Sequence, residues 1–150
     1  MALRNIVIEG DDLLRKISRP VEKFDSRLHT LLDDMKETMY DSNGIGLAAV
    51  QVGVLRRIFV VDTQDGQGFI EFINPEIIEE EGEQIFCEAC LSIPDYQGNV
   101  KRPQKVKIRA LNRDGEEFEY IGEGLSAVCV SHENDHLNGV LFRDRVIEEE

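Results

Sequence analysis

The segment SHENDHLNG, residues 131–139, places His132 and His136 four positions apart, with Glu133 next to the first histidine. Residues four apart lie on the same face of an α-helix, so both imidazoles can bind one metal ion while the glutamate moves protons on a nearby water. The same spacing also occurs in ordinary amphipathic helices. The segment alone therefore leaves three interpretations open: a catalytic metal site, a structural metal site, or a helix without a metal.

Residues upstream extend this helical pattern. Leu125, Val128 and Cys129 fall on the same face as the two histidines, and Asn138-Gly139 is a typical helix end. The histidines thus point to the same side as the apolar residues. This predicts a helix that is covered by a sheet, with its histidines facing inward.

The rest of the chain alternates between one further helical pattern and short strand patterns. A helix is predicted after the N-cap residue Asp25, because apolar residues recur at helical spacing, and His29 on it is interpreted as a bystander. Its apolar face comprises Leu28, Leu31, Leu32, Met35 and Met39. Strands are predicted at RIFVVD (57–62) and FIEFI (69–73), around a polar turn.

Two more hairpins are predicted further along the chain. KVKIRAL (105–111) and EEFEYI (116–121) alternate in polarity on either side of a turn, and EIIEEEGEQIF (76–86) is interpreted as a hairpin around Gly82. Strands in hairpins with separate helices indicate an α+β fold, in which antiparallel sheets pack around the central C-terminal helix that carries the histidines. With no repeat or linker in the sequence, we expect residues 1–150 to form a single domain.

Composition excludes several classes of partner. Lys plus Arg total 17 against 30 Asp plus Glu, which gives a formal net charge of −13. DNA and anionic membranes bind basic surfaces, so we expect neither direct DNA binding nor membrane association. The N-terminus meets acidic residues before any signal-like apolar run, which predicts a cytoplasmic protein, and three cysteines in a reducing compartment favour metal binding or packing over disulfides.

Cys90 is the best candidate for a third metal ligand. A thiolate beside two imidazoles leaves a fourth tetrahedral position for water, as in catalytic sites, and Glu133 could then take the proton of that water. A closed site of Cys87, Cys90 and the two histidines is the alternative, because CEAC is itself a CxxC motif. Residues 91–131 make a much longer loop than that of a small zinc finger, and a closed site leaves Glu133 without a function.

The segment GIGLAAVQVG, residues 44–53, is the third unusual stretch. Its first two glycines allow a backbone to approach a ligand closely, and the amide of Gln51 can both donate and accept hydrogen bonds. Taken alone, the segment is better interpreted as a helix-to-strand connection in which LAAV fills the core.

Together, GIGLAAVQ, EACLSIP and HENDHLNG resemble the three motifs of peptide deformylases, which have the forms GxGLAAxQ, EGCLS and HExDH. The resemblance covers most of the chain. It implies a metal-dependent hydrolase that removes the N-formyl group from the initiator methionine of newly made polypeptides and releases formate. The substrates would be formyl-methionyl nascent peptides, and a transient contact with the ribosome is left open.

The resemblance also implies a role for each motif residue. Cys90, His132 and His136 would bind one divalent metal ion, which is Fe²⁺ in many members, with Zn²⁺, Ni²⁺ or Co²⁺ able to take its place. Glu133 would act as general base and then as acid, while Gln51 and the backbone N–H of Leu91 would hold the formyl oxygen. The substrate peptide would lie as an added strand against a set of four residues: Gly44, Ile45, Gly46 and Ala89.

Two positions depart from the family pattern. The usual Gly before the metal cysteine is Ala89, and the usual Gln before the HExDH motif is Ser131. These changes suggest a second hypothesis, a catalytically weak deformylase-like protein that binds metal or peptide. A general HExxH metallopeptidase is a third hypothesis, and it does not account for Cys90.

Overall fold

The computed structural model describes residues 2–147. Within them the chain forms two α-helices, α1 (Ser26–Asp41) and α2 (Leu125–Leu137), and short 3-10 turns that include Ala49–Val52 and Phe142–Arg145. Seven strands complete the fold: β1 (Gly46–Ala48), β2 (Ile58–Val61), β3 (Ile70–Glu81), β4 (Gln84–Cys90), β5 (Ile93–Arg102), β6 (Lys105–Leu111) and β7 (Glu117–Glu123).

The strands form two antiparallel sheets. One has five strands in the order β1-β2-β3-β6-β7, and the other is the pair β4-β5. Helix α2 contacts strands of both sheets, and most of its residues are buried. The predicted α+β fold, with antiparallel sheets around a C-terminal helix, is confirmed.

Helix α1 forms where the sequence predicts it. The carboxylate of Asp25 accepts a hydrogen bond from the backbone N–H of Leu28, a cap that contributes about 1 kcal/mol to helix stability. The five predicted apolar residues are buried in one cluster against β1 and β2. His29 lies on the outer part of this helix, with its Nε2 2.9 Å from the carbonyl oxygen of Arg113, as expected for a bystander.

The predicted hairpin around Gly82 is wrong. Strand β3 continues to Glu81 but pairs with β6, whereas β4 pairs with β5 in the other sheet. Gly82, with φ of +69°, lies where the chain leaves one sheet for the other. The acidic end of β3 faces basic residues of β6, with Glu79 opposite Lys107 and Glu81 opposite Lys105. Opposite charges across a strand pair favour this partner, which lies far away in sequence.

Within residues 2–147, neither helix combines the length and the apolar character needed to cross a membrane.

Candidate functional site

Cys90, His132 and His136 come together at one point of the structure. Cys90 ends β4, while the two histidines occupy successive turns of α2. Their possible ligand atoms all lie within 4.8 Å of one another, and the Sγ of Cys90 is 3.4 Å from the Nε2 of His136. One sulfur and two imidazole nitrogens are donors that suit zinc and ferrous iron. The donor set and its clustering therefore fit a divalent metal ion.

Cys87 does not belong to this cluster. Neighbouring residues of a strand face opposite sides, and Glu88, which follows Cys87 on β4, contacts His132, so the side chain of Cys87 points away from the histidines. Cys87 is exposed, and its Sγ lies 3.9 Å from the Oε1 of Gln97 on β5. This geometry does not support the closed four-ligand site.

We therefore expect Cys87→Ser to bind metal as the wild-type protein does. The Sγ of Cys87 is not among the described ligand atoms that lie within 4.8 Å of one another, so a serine hydroxyl in its place would leave the metal ligands unchanged. Metal content after dialysis, measured by elemental analysis, checks this expectation. Loss of the metal in this variant would instead favour the closed Cys₂His₂ arrangement.

Glu88 orients His132, a role that the sequence analysis missed. Its Oε1 lies 2.8 Å from the Nδ1 of His132, and Arg102 on β5 donates two hydrogen bonds to the same carboxylate. Burial opposes ionisation of Glu88, but the bonds from Arg102 and His132 outweigh it and lower its pKa. With Nδ1 held by Glu88, the Nε2 of His132 is left for a metal. Strand alternation could have found Glu88, because it precedes Cys90 by two and shares its face.

Glu133 is buried beside the histidines. Its Oε1 has no hydrogen-bond partner among the residues described, and a Cβ added to Gly46 would lie 2.7 Å from its Oε2. Burial raises the pKa of Glu133 to about 7, an increase that the charge of His132 reduces and that of Glu88 supports. A carboxyl group with a pKa near neutrality can both accept and release a proton. Gly46 leaves the space that this carboxylate occupies.

The two histidines differ in their electrostatic surroundings. Burial lowers the pKa of His132, but its contacts with Cys90 and Glu88 outweigh burial and raise that pKa to about 10. Burial and the nearby charges of His132 and Arg102 hold the pKa of His136 well below its ordinary value. A metal ion would compete with the proton on His132, so metal binding should weaken at lower pH.

Gln51 presents its amide nitrogen to the site. Its Oε1 accepts a hydrogen bond from the backbone N–H of Ala48, which turns Nε2 toward Cys90 and Ser92. The Nε2 lies 3.6 Å from the Sγ of Cys90 and 3.1 Å from the Oγ of Ser92. Leu91 lies between Cys90 and Ser92 in the chain and lines a cavity beside the cluster. The arrangement offers hydrogen-bond donors beside the cluster.

A cavity of about 430 Å³ opens at the cluster. Gly44, Ile45, Gly46 and Ala89, the four residues predicted to contact a peptide, all line it, together with Gln51, Cys90, Leu91, His132 and Glu133. Strand β1 pairs only with β2, and β4 only with β5, among the strands of residues 2–147. Each of the two strands therefore has a free edge at the cavity, where an extended chain could add as a strand.

Ala89 and Ser131 were the two departures from the family pattern. Ala89 lies in β4, opposite Gln97, and is not among the non-glycine residues of 2–147 that have positive φ. Its backbone conformation is therefore one that alanine adopts without strain. Ser131 is buried on α2, and its hydroxyl has no partner within residues 2–147.

Comparison with known proteins identifies relatives along nearly the whole chain. The profile of the polypeptide deformylase family matches residues 3–150. The peptide deformylase of Acetivibrio thermocellus is 57% identical over 98% of this chain and 85% of its own, and that of Alkaliphilus metalliredigens is 55% identical over 99% and 100%. The crystal structure of peptide deformylase from Thermotoga maritima has a TM-score of 0.94 at 42% identity, covering 97% of this chain and 99% of that one.

Proposed function

The chain belongs to the polypeptide deformylase family, a family of hydrolases, and from that premise we propose the residues that carry its activity. The reaction removes the N-formyl group from the initiator methionine of newly made polypeptides and releases formate. The observation that carries the assignment is the convergence of Cys90, His132 and His136 within 4.8 Å, next to the buried carboxylate of Glu133. The alternative of a catalytically weak binding protein is not favoured.

Cys90, His132 and His136 would hold the metal. A divalent ion bound there would polarise the formyl oxygen and lower the pKa of a nearby water. We propose Fe²⁺ as that ion, with Zn²⁺, Ni²⁺ or Co²⁺ able to take its place, since all four bind sulfur and imidazole ligands. Glu88 would keep the Nδ1 of His132 engaged, so that its Nε2 faces the metal.

Glu133 would manage the protons of the reaction. As a base it would take a proton from the attacking water while the new C–O bond forms at the formyl carbon. As an acid it would give that proton to the departing amine when the C–N bond breaks. Its raised pKa suits both steps.

Gln51 and Leu91 would stabilise the negative charge that develops on the formyl oxygen. The Nε2 of Gln51 lies 3.6 Å from the Sγ of Cys90, and Leu91 follows Cys90 in the chain and lines the cavity; this Nε2 and the backbone N–H of Leu91 would both donate to the formyl oxygen. Each such donor contributes about a hundredfold to a thousandfold in rate. The free edges of β1 and β4 would hold the peptide backbone at Gly44, Ile45, Gly46 and Ala89.

The methionine side chain would enter the apolar part of the cavity. Phe86, Leu125 and Val128 line it beside His132, and they would accept an unbranched thioether side chain.

We further propose that residues 1–150 act as one domain, that the protein works in the cytoplasm without binding DNA, and that it meets nascent chains through transient contact with the ribosome.

The test is a release assay on the protein purified without oxygen. Formate release from formyl-Met peptides should be rapid, and unblocked peptides should not be cleaved. Elemental analysis of the same sample identifies the metal. Cleavage of internal peptide bonds would point to a general metallopeptidase, and metal binding without formate release would point to the weak binding protein.

Ala89→Gly should change formate release by less than tenfold. The backbone at Ala89 is extended strand, so glycine would relieve no strain there and would add only modest flexibility. The measurement is kcat/KM on a formyl-Met peptide for both proteins. A rise of a hundredfold or more would mean that alanine impairs the wild-type site.

A further inference from the structure

The 3-10 turn Phe142–Arg145 follows α2 and is connected to His132 in two ways, directly through Phe142 and indirectly through Arg145. The ring of Phe142 stacks on that of His132, with centroids 5.8 Å apart and an interplanar angle of 26°. The ring of Tyr96 on β5 packs against that of Phe142, with centroids 5.6 Å apart. The face of this imidazole is therefore fixed by packing.

A series of four side chains with alternating charge, which ends at the Nδ1 of His132, provides the second connection. Its members are Arg145, Asp135, Arg102 and Glu88. Arg145 donates from Nε and Nη2 to the two oxygens of Asp135, at 2.6 and 3.1 Å. Asp135 also accepts from Arg102, at 2.8 Å, through the oxygen that the Nε of Arg145 contacts. Arg102 in turn holds Glu88 by two bonds of 2.6 and 2.8 Å, and Glu88 lies 2.8 Å from the Nδ1 of His132.

Burial makes the members of this series depend on one another. The side chains of Arg102 and Glu88 are 3% and 2% exposed, and that of Asp135 is 12% exposed, whereas that of Arg145 is 47% exposed. A buried charge that loses a partner is costly, so neighbouring groups shift to compensate. Arg145 is the one member of the series that solvent reaches freely, and it fixes both oxygens of Asp135.

We propose that Arg145 is a positioning residue for His132, acting through Asp135, Arg102 and Glu88. This inference rests on the proposed role of His132 as a metal ligand. Without Arg145, the carboxylate of Asp135 can rotate and leave Arg102 less firmly held. Glu88 would then hold the Nδ1 of His132 less firmly, and the imidazole would bind the metal less tightly.

The test compares Arg145→Gln with Arg113→Gln. Arg113 also donates from Nε and Nη2 to the two oxygens of one carboxylate, that of Glu71, at 3.0 and 2.5 Å, but its side-chain partners Glu71 and Asp33 lie outside the series. Zn²⁺ affinity, measured by competition with a chelator, should fall about three- to tenfold in Arg145→Gln, less than the ten- to hundredfold typical of a direct partner of a ligand. It should change less than twofold in Arg113→Gln. Arg145→Lys should recover only part of the loss, because an ammonium keeps the charge but cannot hold both oxygens of Asp135 as the guanidinium does.

A second comparison asks whether the effect passes through Glu88. In a Glu88→Gln background, adding Arg145→Gln should weaken Zn²⁺ binding by less than twofold further, because the connection to His132 is already changed. Equal Zn²⁺ affinity in Arg145→Gln and wild type, an equal loss in Arg113→Gln, or a full additional loss in the Glu88→Gln background would each overturn the proposal. Because the readout is metal affinity, a protein that releases no formate would refute the proposed function and leave this test intact.

Discussion

Glu133→Gln should lower kcat for formate release by about a hundredfold to ten-thousandfold while the metal stays bound. Glutamine keeps the size of the side chain next to Gly46 but cannot take or give the proton of the reaction. Loss of a positioned acid–base group typically costs that range in rate. Turnover of a formyl-Met peptide and metal content of the same preparation are the two measurements.

Glu37→Gln is a matched control for this variant. Glu37 lies on α1 and, like Glu133, has a buried carboxylate oxygen with no partner within residues 2–147, but it does not line the cavity. Its replacement should leave turnover within about twofold of wild type. Near-normal turnover in Glu133→Gln, or loss of its metal, would remove Glu133 from the proposed role.

Cys90→Ser should weaken metal binding by at least a hundredfold, and formate release should fall with it. A serine hydroxyl stays protonated at neutral pH and is a harder donor than a thiolate, so it binds Fe²⁺ or Zn²⁺ poorly beside two imidazoles. Metal affinity by chelator competition and kcat/KM at saturating metal separate the loss of the ion from a change in its chemistry.

Cys87→Ser provides the comparison, since it makes the same chemical change three residues earlier on β4. Only the change at Cys90, whose sulfur lies in the cluster of ligand atoms, should weaken metal binding. A Cys90→Ser protein that retained its metal at wild-type affinity would show that the thiolate is not a ligand.

Local sequence patterns predicted the helices and two of the hairpins because those elements depend on neighbours in the chain. Helix α1 begins at its cap Asp25, and β6 pairs with β7 across the predicted turn. The three motifs also led to residues that the fold brings to one cavity, through the family resemblance. The roles of these residues remain predictions that the variants above would test.

The features that the sequence did not predict depend on contacts between segments that are distant in the chain. Strand β5 was not predicted, because IPDYQGNVKR lacks a clear alternation and is stabilised by pairing with β4. The pairing of β3 with β6 was missed for a similar reason, because the acidic end of β3 lies opposite lysines of a strand that is distant in the sequence. Arg102 has no local signal, and Asp135, although it is the Asp of the HExDH motif, gives no local indication of its partner. Arg102 bonds to both Glu88 and Asp135 only when the β4-β5 sheet packs against α2.

The enclosure of α2 by both sheets also has a consequence for biosynthesis. This helix follows all seven strands in the chain, so a ribosome makes the surrounding structure before the element at its centre. Residues are added at about 5–20 per second, so β1, which ends at Ala48, waits roughly 4 to 18 seconds until α2 is complete at Leu137, whereas β7, which ends at Glu123, waits roughly 1 to 3 seconds. During that interval the nascent protein cannot form its catalytic centre and exposes surfaces that favour aggregation. We expect chaperone binding to nascent chains that stop before residue 125 and its loss once α2 has emerged.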